Sequence, residues 1–411
     1  MKLPIAGVFV LSMATSACGS DGATPGSGGA NPSGGAAVSG SQSGGASNAG
    51  TSGQGAGGKN DGKAGATSSQ AGNAPTTPVG STPSPMPVIS RDVPAFASSD
   101  DDGATAENAQ DGKPNTSWAS GAMPAWLAYD LSGVAAAKRG RVLASWYAGA
   151  ALDFINPDPD PDKRIPVDFT IETNSAAGGG AAPKDGWQVV KTVTGNDRNS
   201  RQCLFDMDGA NWVRINVTKS TNPTSVGIDF DVHSAPDGAT DSWLFMGDSI
   251  TFMSTSYLFS DLPEQVNKLA SDRWPAVIPA AIGGTNTTTA MEAFDTTTAD
   301  FPGRFVVLAY GTNDHPGEYQ MEDLVKRVIA AGKAPVVPHM PWSTDPRVQL
   351  EGPQNNEIID RLYEKYPEIV RGPDFWAIFT NKTDLIPAGD VHPNDGGKAE
   401  FRKQWAVAMT K

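Results

Sequence analysis

Four short blocks carry side chains that together could perform acyl transfer: Gly247-Asp248-Ser249-Ile250-Thr251, Gly283-Gly284-Thr285-Asn286, Gly311-Thr312-Asn313-Asp314 and Asp390-Val391-His392-Pro393. That chemistry needs a serine on a tight strand-to-helix turn, with its hydroxyl exposed and its backbone N–H facing a developing oxyanion. A glycine at the next strand end lets the backbone approach the substrate and offers a second N–H. An asparagine amide supplies a third donor. A histidine within reach of the serine acts as base, held by an acceptor on its other ring nitrogen. Ser249, Gly284, Asn313 and His392 supply these types in chain order. Taken singly, Ser249 reads as a helix cap, Asn313 as a turn and His392 as a surface residue; the set of four is what points to a site.

The elements that must position these blocks are legible around them. Apolar runs at 243–246, 276–279, 305–309 and 334–337 read as buried strands, and each of the first three is followed by a block, the first of them directly. Amphipathic spacing predicts helices over 321–331, 355–365 and 395–409. Strands alternating with helices imply a doubly wound parallel sheet, with reactive residues at the strand C-terminal ends.

With the four blocks on those strand ends, residues 238–411 resemble the SGNH (GDSL-like) hydrolases, which are named for this serine, glycine, asparagine and histidine. The resemblance implies an α/β/α domain with a flavodoxin-like parallel sheet. It assigns Ser249 as nucleophile and oxyanion donor, Gly284 and Asn313 as the other donors, and His392 as general base. The family's acid stands three residues before the histidine, a position held here by Gly389; the nearest aspartate, Asp390, stands two before. Either Asp390 reaches the imidazole through an altered loop, or a backbone carbonyl orients His392 in a Ser–His dyad. His315 and His339 follow strand ends and could line the pocket, as could Phe252, Met253, Tyr257 and Trp342, while His233 reads as structural.

Upstream, residues 87–237 change to short alternating runs separated by turn residues, as at 126–131, 142–147, 167–172, 187–190, 212–217 and 226–230. This rhythm predicts an all-β sandwich. The run from Glu107 to Trp118 (ENAQDGKPNTSW), with Trp126, Asp130-Leu131, Phe169 and Val213-Arg214-Ile215, resembles the galactose-binding-like, discoidin (F5/8 type C) sandwiches. Those often hold a structural calcium near this turn. Asp111 and Thr116 match, but Lys113 replaces an oxygen ligand, so no metal is assigned. The alternating Asp-Pro run at 156–162 reads as a solvated extended loop.

Residues 1–17 read as an export signal: Lys2 is followed by an apolar run, 3–13, too short to span a bilayer. Thr15-Ser16-Ala17-Cys18 resembles a bacterial lipobox, with Cys18 as the lipid-attachment residue, and Gly19 is compatible with an outer membrane. If Cys18 is acylated, Cys203, the other of the 2 cysteines, has no disulfide partner and reads as a buried thiol. Residues 18–86, mostly Gly, Ser, Ala, Thr, Asn and Pro, cannot bury enough apolar surface to fold and are expected to form a tether.

A formal net charge of −14 argues against nucleic acid, because binding a polyanion needs a basic face. The reading is therefore a monomeric, envelope-anchored or secreted esterase needing no cofactor. Its expected reaction removes acetyl or other small acyl groups from a polysaccharide. Two alternatives are a lipase, lysophospholipase or thioesterase, and a glycan-binding surface lipoprotein without catalysis.

Overall fold

The computed structural model describes residues 83–112, 116–148, 164–255, 261–271, 273–298 and 301–411. The export segment, Cys18, the tether up to residue 82, Lys113, the Asp-Pro run and Tyr257 lie outside the described residues.

The first domain is a sandwich of two antiparallel sheets. One holds β1 (Ala95–Ala97), β3 (Ala125–Asp130), β8 (Trp212–Ser220), β5 (Pro166–Asn174) and β6 (Gln188–Val193), in that order. The other holds β2 (Trp118–Ala119), β9 (Gly227–Ser234), β4 (Arg141–Tyr147) and β7 (Ser200–Asp206). Inward residues of both sheets, including Leu127, Tyr129, Trp146, Phe169, Ile215, Ile228 and Phe230, form one core. The Tyr129 hydroxyl crosses that core to donate to the Phe230 carbonyl at 2.8 Å, which satisfies its only polar group. In the turn that resembles a calcium site, the Thr116 hydroxyl donates to the Asp111 carboxylate at 2.8 Å. Cys203 sits half-buried in β7 against the sandwich core.

The second domain is a five-stranded, wholly parallel sheet. Its order is β11 (Ala276–Pro279), β10 (Ser242–Gly247), β12 (Phe305–Ala309), β13 (Ala334–His339) and β14 (Val370–Asp374). The alternation of the strands divides their side chains between two cores. Trp243, Phe245, Phe305 and Val307 face one side, where α1 (Ser249–Thr255), α2 (Asp261–Leu269), α6 (Phe375–Thr380) and α7 (Asp395–Met409) pack. Leu244, Met246, Val306 and Leu308 face the other, covered by α3 (Thr287–Thr298), α4 (Met321–Ala330) and α5 (Pro346–Lys365). Burial on both faces explains why these strands read as continuous apolar runs rather than alternating ones.

The order places β10 at the point where the winding reverses, with β11 on one side and β12 on the other. A crevice opens at such a point beyond the strand C-terminal ends. Residues following β10, β11 and β12 therefore meet there.

The two domains share packing along β11, the edge of the parallel sheet. Leu143 and Leu204 of the sandwich, with Met86 and Ala235, enclose Ala276. The Ser200 hydroxyl donates to the Pro279 carbonyl at 3.1 Å, and the Ser242 hydroxyl donates to Gln202 Oε1 at 2.8 Å. Composition places Met86 in the tether, but it is only 2% exposed, and the Ser84 carbonyl accepts from the backbone N–H groups of Thr240 and Asp241. The last residues before the sandwich are thus part of the fold, because the apolar Met86 side chain, flanked by prolines, finds the interdomain core. His233, buried in β9, meets the Met86 carbonyl through Nδ1 at 2.9 Å, and burial pushes its imidazole down from the ordinary histidine range. It is structural, as the sequence suggested.

Candidate active site

Ser249 is the first residue of α1, one step beyond the end of β10. The turn is as tight as it is because Gly247 has no side chain. A Cβ there would meet Thr251 Cβ at 2.7 Å and the Ala309 carbonyl oxygen at 2.9 Å, distances that real Cβ atoms do not show. Asp248 then caps the helix: its Oδ1 accepts from the Ile250 N–H at 3.0 Å. The Ser249 N–H is left at the positive end of α1.

The segment after β11 is laid across the end of β10. The Ile282 N–H donates to the Gly247 carbonyl at 3.0 Å, and the Thr285 hydroxyl donates to the same carbonyl at 3.1 Å. Between them Gly283 and Gly284 make the turn, with Gly284 at φ 73°. The Asn313 amide, from the turn after β12, donates to the Thr285 carbonyl at 3.0 Å. An amide nitrogen carries two N–H groups. The structure therefore brings Ser249, Gly284 and Asn313 together at three adjacent strand ends.

His392 arrives from the opposite side. Its Nε2 lies 2.9 Å from Ser249 Oγ, and its Nδ1 lies 2.9 Å from Asp390 Oδ1. The two-residue spacing works because Asp390 folds back on its own successors: Oδ1 also accepts from the Val391 and His392 backbone N–H groups, at 2.7 and 3.0 Å. Gly389 enters this turn at φ 76°, a conformation that a side chain resists. The Asp390 carboxyl is raised by partial burial but lowered more by the His392 N–H, the His392 ring and the Val391 N–H, so it stays below the usual carboxylate range. Asp390 with Nδ1–H leaves Nε2 as the acceptor facing the serine.

Two anchors hold this loop. On one side the Gly389 N–H donates to the Thr344 hydroxyl at 2.7 Å, and that hydroxyl donates to the Pro387 carbonyl at 2.9 Å. On the other, Asn394 caps α7 by accepting from the Gly397 N–H at 3.0 Å. The helix itself is fixed by aromatic packing, with Phe401 stacked on Phe375 at 4.0 Å and Trp405 edge-on to Phe245 at 5.0 Å.

Beneath the serine sits a pair of buried acids that the motif-by-motif reading passed over, although both lie inside quoted blocks. Asp248 is 3% exposed and Asp314 2%. Burial, and the neighbouring Asp314 charge, push the Asp248 carboxyl up to about 7 against the N–H groups of Ile250 and Thr251. Burial also raises Asp314, whose Oδ1 accepts from the Thr287 N–H at 2.9 Å and from the Thr287 hydroxyl. Because Asp248 holds its proton to a higher pH when folded than when unfolded, stability falls as pH rises from about 4 through 7. Asp248→Asn removes that loss. Its melting temperature should exceed the parent's by several degrees at pH 8, from about 1–2 kcal/mol, and not at pH 5. Parallel pH profiles for the two proteins would count against an acid held protonated here.

The remaining candidates are placed as follows. His315 is exposed and meets both Glu351 oxygens at 3.1 Å. His339 lies between Asp360 and Asp374, at 3.1 and 3.2 Å. Phe252 and Met253 are half-buried on α1, and Trp342 packs against the α7-side core. Arg347, which sequence reasoning missed, donates through Nη2 to the Thr312 carbonyl at 2.6 Å beside Asn313. Neither it nor Thr344 carries a local motif.

Residues 245–399 match the GDSL-like Lipase/Acylhydrolase family. No curated protein matches the chain. Among solved structures, a chitosan-binding module of a chitosanase/glucanase from Paenibacillus sp. IK-5 is 23% identical, covering 35% of this chain and 97% of its own, with a TM-score of 0.28. The family 32 carbohydrate-binding module of C. perfringens NanJ, in complex with galactose, is 16% identical over 36% and 98%, with a TM-score of 0.27. Axe2, an acetylxylan esterase from Geobacillus stearothermophilus, is 17% identical over 41% and 94%, with a TM-score of 0.36. The match of residues 245–399 to that family thus falls on the parallel-sheet domain that carries Ser249, Gly284, Asn313 and His392.

Proposed function

We propose that this carboxylic ester hydrolase removes acetyl or other small acyl groups from a polysaccharide. The observation that carries the chemistry is the continuous line Ser249 Oγ–His392 Nε2, His392 Nδ1–Asp390 Oδ1, with both links at 2.9 Å. As the ester carbonyl arrives, Ser249 Oγ attacks it and passes its proton to Nε2. The oxyanion that forms is met by the Ser249 and Gly284 N–H groups and the second Asn313 amide N–H, each donor of this kind contributing about 10² to 10³ in turnover. His392 returns the proton to the departing sugar oxygen. Water, deprotonated by the same nitrogen, then releases the acid from Ser249. Asp390 stabilises the imidazolium in both halves.

The substrate reading rests on two features. The His392 and Asp390 side chains are 36% and 47% exposed, so the site lies at an open surface that an ester projecting from a polymer can reach. The attached sandwich carries the residues that resemble sugar-binding modules. Acetate release from acetylated xylan, beside hydrolysis of p-nitrophenyl esters from acetyl to octanoyl, tests it. Acetyl esters should be turned over best. Turnover rising towards octanoyl favours a lipase or thioesterase instead, and folded protein inert to every ester leaves only the glycan-binding alternative.

A further inference from the structure

We propose that Arg347, outside the four motif blocks, is a positioning residue for ester hydrolysis that sets the Asn313 donor of the oxyanion hole, an inference that rests on the reading of Ser249, Asn313 and His392 as the acyl-transfer site.

The Asn313 turn has little of its own to hold it. Gly311 opens it at φ 137° with no side chain to pack, and one N–H of the Asn313 amide is already committed to the Thr285 carbonyl. Where the other N–H points depends on where the Thr312–Asn313 peptide lies. The carbonyl of that peptide belongs to a residue only 3% exposed, and it accepts from Arg347 Nη2 at 2.6 Å. Because a peptide is planar, holding its carbonyl also fixes the Asn313 Cα. Further along α5 the buried Asn355 amide donates to the Gly311 carbonyl at 3.2 Å and to the Asp314 carbonyl at 3.4 Å. Helix α5 thus holds three carbonyls of the turn. Of these bonds only the one from Arg347 is charge-assisted, the stronger kind, and it falls on the peptide of the asparagine itself.

Arg347 is in turn well anchored. Asp345 caps α5 by accepting from the Arg347 and Val348 N–H groups at 2.8 and 3.1 Å, and Pro346 stiffens the same first turn. One turn on, Glu351 pairs with the guanidinium at 3.5 Å. Thr344, the residue before the cap, holds Gly389 of the His392 loop. One four-residue stretch, 344–347, therefore ties the donor turn to the loop of the base. An oxyanion donor is effective only when it is fixed before the charge develops, and a displacement of about 1 Å can cost about 10²-fold in rate.

The test is the kinetics of p-nitrophenyl acetate hydrolysis by the full chain, its Arg347→Ala, Arg347→Lys and Asn313→Ala variants, and Arg347→Ala combined with Asn313→Ala. Both Arg347 variants should fold, the side chain being 37% exposed, with melting temperatures close to the parent's. Arg347→Ala should lower kcat about 10- to 100-fold with KM nearly unchanged, since the donor acts on the developing oxyanion rather than on the bound ester. Arg347→Lys, which keeps the charge, should recover part of that loss. In the Asn313→Ala background, Arg347→Ala should cost about threefold or less, because the group it positions is already gone. A kcat within twofold of the parent in Arg347→Ala, a loss confined to KM, or the full loss persisting without Asn313 overturns the proposal. Acetate release from acetylated xylan is followed in parallel. Hydrolysis of p-nitrophenyl acetate without xylan deacetylation defeats the polysaccharide reading and leaves the Arg347 comparison intact, whereas a parent inert on both overturns the two together.

Discussion

Ser249→Ala should leave the protein folded and lower kcat by about 10⁴ to 10⁶ on every ester the parent hydrolyses. The large factor follows from the role we propose for the hydroxyl, in which no acyl-enzyme forms without Oγ and His392 has no proton to take. The residual rate over water would come from Gly284, Asn313 and the Ser249 position's own backbone N–H, which the substitution keeps. His392→Ala should cost a similar factor, and the double variant little more, since nucleophile and base act as one unit. Kinetics of the three variants, with circular dichroism to show that each is folded, decide the matter. A Ser249→Ala enzyme retaining a tenth of the parent's activity would remove the serine from the reaction.

Asp241→Ala should produce the largest loss of stability by a single substitution, about 3–5 kcal/mol. Asp241 stands at the junction of the two domains and is 0% exposed. It accepts from Arg273 through both oxygens, Nε at 3.0 Å and Nη2 at 2.8 Å, and from the Trp243 indole at 2.8 Å. Arg273, 5% exposed, also donates to the Met409 carbonyl at the end of α7. Removing the carboxylate leaves a buried guanidinium without its counter-charge, which costs far more than the pair itself contributes. Thermal unfolding should shift down by about 10 °C, at about 2–4 °C per kcal/mol, with kcat at 25 °C little changed because Asp241 is remote from Ser249. Adding Arg273→Met should restore part of the loss. A shift of a degree or two in the single variant would mean that water reaches the pair.

Most of the parallel sheet was legible because its strands are buried on both faces and therefore apolar throughout, as at 243–246 and 305–309. β14 was not, because Val370-Arg371-Gly372-Pro373-Asp374 is an edge strand with one apolar residue. α5 extends back to Pro346, well before the predicted start at 355, since Gly352-Pro353 interrupts the helical pattern while Asp345 caps the true beginning. In the site, the four motif residues were readable from type and order alone. The role of Asp390 was undecided in the sequence, because spacing alone does not reveal that Gly389 turns the chain so that a carboxylate two residues away faces Nδ1. Thr344, 45 residues from Gly389, gives no local sign of the bond that steadies that loop.

The covered edge of β11 bears on how such a protein can change over generations. Binding modules are commonly pictured as cassettes, exchanged by recombination at the linker that precedes an enzyme domain. Here the segment between Ser234 and Ser242 is no such joint. A substitute sandwich would have to present Leu143 and Leu204 to Ala276, a hydroxyl to Pro279 and an amide to Ser242. Exchanging the sandwich alone would strip Ala276, Pro279 and Ser242 of these partners, so an exchange that carries both domains together, from before Ser84, disturbs the fold least.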